Sequence, residues 1–251
     1  MNDKIYVFDG TFFGFFSVVF ECFSKKNFDC KIQDEFMIQE SLLYEYQKIE
    51  ADFTKAERVA NGIKNKISKV AFENINFAFL GTNENRFTDI LKYIRLGFKV
   101  GQSVDNYKSY DYVLNVLKAR RTVAQEAHLL TGFMRFSETK EKVLYSKIAP
   151  DNDVIEVVAV HFADRFKNEK WIINDVKRKK CAIYANGEFI ILNDVDELNI
   201  SNSDDEELWQ NLWKEFFSAI AIENRRNIKL QNQMLPKKFR KYMPEFLNGV
   251  N

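Results

Sequence analysis

Apolar and polar positions follow two different periods along the chain, and the change comes near residue 128. Ile5 to Phe8 forms a short apolar run, followed by Asp9-Gly10-Thr11 and an apolar stretch to about Phe23. This pattern predicts a strand, a turn and a helix capped by Asp9 or Thr11. From Asp34 to Gly101 the spacing is helical: Thr54 to Glu57 matches a capping box, and Ala56, Val59, Ala60, Ile63 and Ile67 follow on one face. Ile75 to Leu80 and Ile90 to Phe98 continue it, with Gly81, Gly97 and Gly101 as stops. A further helix is predicted from Tyr110 to Ala127, its inner side carrying Val113, Val116, Leu117, Ala124 and Ala127.

Beyond residue 128 the predicted order is β-β-α-β-β-β. Leu129 to Phe136 and Val143 to Ile148 read as strands, and Asp153 as the cap of a helix to about Phe166. Trp171 to Val176, Cys181 to Asn186 and Glu188 to Leu192 read as strands, the last two joined by the hairpin signal Asn186-Gly187. Leu208, Trp209, Leu212, Trp213, Phe216, Phe217 and Ile220 then form a broad helical stripe, read as core. Pro236 and Pro244 bracket a short basic segment near the end. The fold class is therefore α+β: a mainly helical N-terminal half, then a small antiparallel sheet packed with helices and a C-terminal amphipathic helix. The expected division is 1–127 and 128–251, though the two regions can equally form one compact unit.

Composition supports long ordered elements, because 24 Phe supply core volume while only 9 Gly and 3 Pro interrupt the chain. Cys22, Cys30 and Cys181 have no CxxC spacing, which argues against a structural zinc site, an iron–sulfur motif or a disulfide framework. The chain is expected to need neither metal nor cofactor. Its most apolar run, Phe12 to Phe20, is too short to span a bilayer, so no membrane association and a cytoplasmic location are expected.

Charge changes the picture only when read by segment. The totals, 37 Lys plus Arg against 36 Asp plus Glu, argue against a nucleic-acid clamp built on bulk charge. Residues 1–57, however, hold six Lys and eleven acids, whereas 165–180 and 223–241 each hold seven bases, against two acids and one. Lys118, Arg120 and Arg121 form a third basic group. Cations interleaved with aromatics suit a surface that follows phosphates and stacks unpaired bases. The candidate nucleic-acid contacts are Arg120, Arg121, Arg135, Arg165, Arg178, Arg225, Arg226, Lys237, Lys238 and Arg240. The plainer alternative is a set of solvated faces, with Arg135 in a rim salt bridge to Glu138 or Asp175.

The two histidines, His128 and His161, flank the first strand pair. With Asp164 and Asp175 they are the candidates for acid–base chemistry, although no metal-ligand or nucleophile motif accompanies them. His161 shares a helix face with Val154, Val157, Val158 and Arg165, so its structural alternative is a buried, hydrogen-bonded residue at a helix–sheet contact.

Several blocks in a fixed order carry a resemblance. They are Phe8-Asp9-Gly10-Thr11-Phe12-Phe13-Gly14, Arg121 to His128, Gly132 to Phe136, His161 to Phe166, Ile173 to Arg178, Leu212 to Phe217, Asn224 to Asn227, and Leu235-Pro236. Together the chain resembles a bacterial family of domains of unknown function described under DNA metabolism and DNA repair. The resemblance implies a companion radical-SAM protein, encoded nearby and concerned with DNA modification or repair. Some related chains are fused to a uracil-DNA glycosylase-like domain, which is not expected here before Asn251. The cysteines of this chain cannot form a radical-SAM cluster motif. Phe8 stands where the family usually has Tyr, and Phe13 where it often has an acid, which argues against catalysis at that turn.

Three functional expectations follow. The first is a DNA-binding accessory of DNA metabolism or repair that works with the radical-SAM partner. The second is an enzyme acting on a nucleobase or nucleotide through a His/Asp/Arg pocket. The third is a protein-interaction module that docks through the acidic N-terminal helices.

Overall fold

The structure, a computed structural model, describes residues 4–38, 44–196, 198, 201–203, 205–219 and 227–246. The chain forms two compact units, 1–124 and 125–251, with the division inside one long helix.

In the N-terminal unit the run IYVF lies in β1 (Lys4–Phe8), the centre of a three-stranded parallel sheet with β2 (Lys31–Asp34) and β3 (Glu45–Lys48) beside it. A continuous apolar strand suits a parallel sheet covered on both faces, and Ile5 to Phe8 are all buried. β3 falls where the sequence pattern read only helix, and β2 lies in the stretch before Asp34 for which it predicted no element. Four-residue segments such as KIQD and EYQK carry no apolar run, and pairing with β1 is what makes them strands. α1 (Phe12–Lys25) starts at Thr11, whose side chain accepts from the Gly14 amide, and it connects β1 to β2.

α2 (Phe53–Lys66), α3 (Lys69–Phe79), α4 (Arg86–Val100) and α5 (Asp111–Phe133) complete the helical set. The cap of α2 is Asp52, which accepts from the Lys55 amide, so Thr54 lies inside the helix and not at its cap. Gly97 is not a stop either. It sits within α4 where Ile67 packs so closely that a β-carbon would lie 2.5 Å from Ile67 Cδ1. Phe8, Phe15, Phe79 and Phe87 form the aromatic centre of this core, with neighbouring rings 4.9 to 6.4 Å apart.

In the C-terminal unit, residues 129–133, expected in a strand, continue α5. Val123, Ala127, Leu130 and Met134 are buried at helical spacing, and that period overrides the local run of large apolar residues. The sheet therefore begins with the short β4 (Ser137–Glu138) and continues with β5 (Leu144–Ile148), β6 (Trp171–Asp175), β7 (Lys180–Ala185) and β8 (Glu188–Leu192). Its pairings are antiparallel except β5 with β6, which run parallel because α6 (Ile155–Arg165) carries the chain between them. The α+β class holds, with this one parallel pair inside the expected antiparallel sheet.

Asn186 (φ 56°) and Gly187 (φ 90°) make the predicted tight turn between β7 and β8. α6 begins after Val154 without a side-chain cap, because Asp153 pairs with Lys180 instead. α7 (Glu206–Ala219) and α8 (Ile228–Met234) follow, then 3₁₀ turns at Lys237–Tyr242 and Pro244–Phe246. Phe239 and Met243 anchor the last segment in the core. Among the described residues no helix is long and apolar enough to cross a membrane.

Candidate nucleic-acid interface

Two basic runs of the C-terminal unit meet on the loop between β5 and α6. From the first run, Lys177 Nζ donates to Asp151 Oδ1 at 3.2 Å, and Arg178 donates to the carbonyls of Pro150 and Asp151 and to Asp175. From the second, Lys238 Nζ reaches Asp151 Oδ2 at 2.6 Å and Glu126 Oε1 at 2.7 Å. Glu126, on α5, also accepts from the Asp151 and Asn152 amides at 3.0 and 2.8 Å and from the Asn152 side chain at 2.7 Å.

These contacts set the charge states. Burial alone would raise the Glu126 carboxyl, but Lys238 and the Asp151 and Asn152 donors outweigh it and hold the group below the usual carboxylate range. Lys238, helped by Lys177, holds Asp151 down as well. Asp175 is fully buried and goes the other way: burial raises it, and Arg178 offsets only part of that cost. The two runs therefore meet, but the cations that meet are paired with carboxylates of the same unit.

Arg135 is locked too. Its Nε and Nη2 donate to Glu245 Oε1 at 3.1 and 2.7 Å, and Nη1 donates to the carbonyls of Gly132 and Met134. The rim pair foreseen with Glu138 or Asp175 is thus made with the buried Glu245, 110 residues away in sequence. The guanidinium also lies 5.7 Å from the Trp213 ring centroid. Beside it opens a groove of about 480 Å³, lined by Phe136, Pro244 and one face of α7 carrying Glu206, Trp209, Gln210 and Trp213. The spacing i, i+3, i+4, i+7 places those four on one side of the helix. Glu206 takes the Glu138 amide at 2.8 Å and the Gln210 side-chain amide at 2.9 Å, which fixes Gln210 in the groove.

Of the stripe read as core, Leu208, Trp209, Leu212, Trp213 and Phe216 face solvent, with Trp209 64% accessible, while the side chains of Phe217 and Ile220 lie outside the described residues. Periodicity reports that a helix has an apolar face and leaves open what covers it.

The remaining candidates are dispersed. Arg120 and Arg121 are exposed on the part of α5 that belongs to the N-terminal unit, Arg120 lying 5.8 Å from the Phe77 ring. Arg165 is exposed at the end of α6. Arg240 donates to Asn232 and the Leu235 carbonyl, and Lys237 is exposed. Arg225 and Arg226 lie outside the described residues. His128, His161 and Asp164 are exposed. For His161 this corrects the buried alternative, because α6 buries Ile155, Val158, Ala159 and Phe162 and turns His161 outward. No hydrogen bond or ion pair among the described residues joins His128, His161, Asp164 and Asp175, and none of the four lines the groove. Nor do the described residues hold a cluster of three metal-ligating side chains.

Sequence reasoning missed Glu126, Asn152, Glu206, Gln210 and Glu245, whose roles come from partners distant in the chain. The profile of the family DUF4130, described as a domain of unknown function, matches residues 84–245. The chain belongs to this family. The DUF4130 match takes in the Glu126 lattice, the Arg135–Glu245 pair and the whole groove, and leaves the Asp9-Gly10-Thr11 turn outside. No curated protein and no solved structure matches the chain.

Proposed function

We propose that this DUF4130 chain is a DNA-binding accessory of DNA metabolism or repair, acting with a radical-SAM partner in the cytoplasm. The observation that carries the reading is that the C-terminal unit holds both exposed tryptophans and lysines that make no ion pair among the described residues. Lys237 and Lys241 are exposed on the segment that leads into Pro244, and Lys214 adjoins Trp213. None of the three makes an ion pair among the described residues. Cations without an ion pair among the described residues are the ones able to neutralise phosphate, whereas Arg135, Arg178 and Lys238 support the scaffold.

The test is fluorescence anisotropy of the full chain with labelled single- and double-stranded oligonucleotides at low salt. Binding that weakens when Lys237 and Lys241 are both changed to Glu is the expected result. Absence of binding to either form would overturn the reading.

For the partner we propose a separate surface on the same helix. Leu208, Leu212 and Phe216 are exposed at i, i+4, i+8, about 100° around α7 from the groove-lining residues. This favours apolar docking of the radical-SAM protein on α7 over docking on the acidic N-terminal helices. Changing Leu208 and Leu212 to Asp is expected to abolish co-elution with that protein; unchanged co-elution would contradict it.

A further inference from the structure

The groove of the C-terminal unit has the composition of a nucleobase site and not of a phosphate site. We infer that it holds an unpaired base, so that the DNA bound by this chain is single-stranded; this inference rests on the DNA-binding reading above. The groove volume of about 480 Å³ lies within the roughly 300–1,000 Å³ of small-molecule sites and accommodates a base with part of its sugar. Trp209 and Trp213 expose 64% and 39% of their surface, and large rings left in water beside a groove gain by being covered with a flat partner.

The polar groups around the rings select the partner. Arg135 is committed to Glu245 and to two backbone carbonyls, so it braces Trp213 and contributes little to phosphate binding. Glu206 lines the same groove as a carboxylate and would repel a phosphate placed there. Gln210 donates its amide N–H to Glu206, which leaves its carbonyl oxygen, with no partner among the described residues, to accept from the edge of a base.

Phosphates would lie outside the groove on Lys214 and on Lys237 and Lys241. This arrangement, with rings and a neutral acceptor inside and cations on the flanking segments, complements a single strand with one base turned in. A duplex keeps its bases stacked and paired and presents a ring face to a side-chain groove only after flipping a base out, a cost that a single strand does not bear.

The experiment compares a labelled 20-nucleotide single strand with the duplex of the same sequence by anisotropy at one low salt concentration. The full chain is used, together with Trp209→Ala, Trp209→Phe, Trp213→Ala and Gln210→Ala. The single strand is expected to bind at least about tenfold tighter, and each Trp→Ala variant to lose roughly 5- to 100-fold on the single strand. Trp209→Phe should retain most binding, and duplex affinity should be unchanged in every variant. Because Trp213 packs against Arg135, a misfolded Trp213→Ala would leave the decision to the more exposed Trp209. Equal affinity for both forms, or single-strand binding untouched by Trp209→Ala, would overturn the base site while leaving DNA binding intact. No binding to either form would overturn both. Loss of the radical-SAM partner in Trp209→Ala, with oligonucleotide binding unaffected, would mark the groove as a protein-docking site and overturn the inference.

Discussion

Glu126 is only 4% exposed and faces donors from Asp151, Asn152 and Lys238, so it must be ionised to satisfy them. Glu126→Gln would turn an amide N–H toward groups that are already donors. A loss of about 1–3 kcal/mol is expected, read from urea unfolding at pH 7. The pH dependence follows from direction. Glu126 and Asp151 are held below their unfolded values, so their contribution is complete above those values, near pH 4, and fades as pH falls through the folded values. The gap between the native protein and Glu126→Gln should therefore narrow below about pH 4. Asp175, raised by burial, acts with the opposite sign: it favours the folded state when protonated and loses that contribution as pH rises.

The thiols give a second check at this scale. The free thiols of Cys22 and Cys30 share a hydrogen bond at 3.4 Å, and Cys22 is raised by that contact and by burial, while burial pushes Cys181 up to about 11. Since the thiolate is the reactive form, Cys22 and Cys181 should label with a disulfide reagent at pH 8 only as the chain unfolds. Rapid labelling of either in the native protein would contradict this. Of all this, the sequence announced the cations and not their partners. Arg135 could be suspected of a salt bridge, but Glu245 is 110 residues away and stands out in no motif.

Among the elements, helices with a strong period and the Asn186-Gly187 hairpin were legible, because local spacing and turn chemistry determine them. β2 and β3 were not, since a four-residue polar strand exists only through its pairing with β1. The apolar run at 129–133 misled for the converse reason: its helical burial is set by residues a turn or more away, such as Val123 and Ala127. Gly97 shows how closely α4 approaches its neighbour. Gly97→Ala would drive a β-carbon to 2.5 Å from Ile67 Cδ1 and is expected to cost about 1–3 kcal/mol, visible as a lower melting temperature. An unchanged melting temperature would mean that Ile67 repacks freely.

For the whole molecule, the balance of 37 bases to 36 acids hides where charge is available. In the C-terminal unit Arg135, Lys177, Arg178, Lys179, Lys180 and Lys238 all have carboxylate partners, so the basic runs visible in the sequence overstate the cationic surface. Segment sums could locate the runs, but only folding decides which charges are neutralised. The tryptophans were legible as a helical stripe and illegible as a surface. DNA binding then falls to a small set of cations in the unit that carries the aromatic groove, and the salt dependence of single-strand binding by the full chain tests this most directly. If Lys214, Lys237 and Lys241 carry the phosphates, the logarithm of the association constant should fall against the logarithm of salt concentration with a slope of roughly −2. A slope near zero, or one unchanged when Lys237 and Lys241 are replaced by Glu, would contradict it.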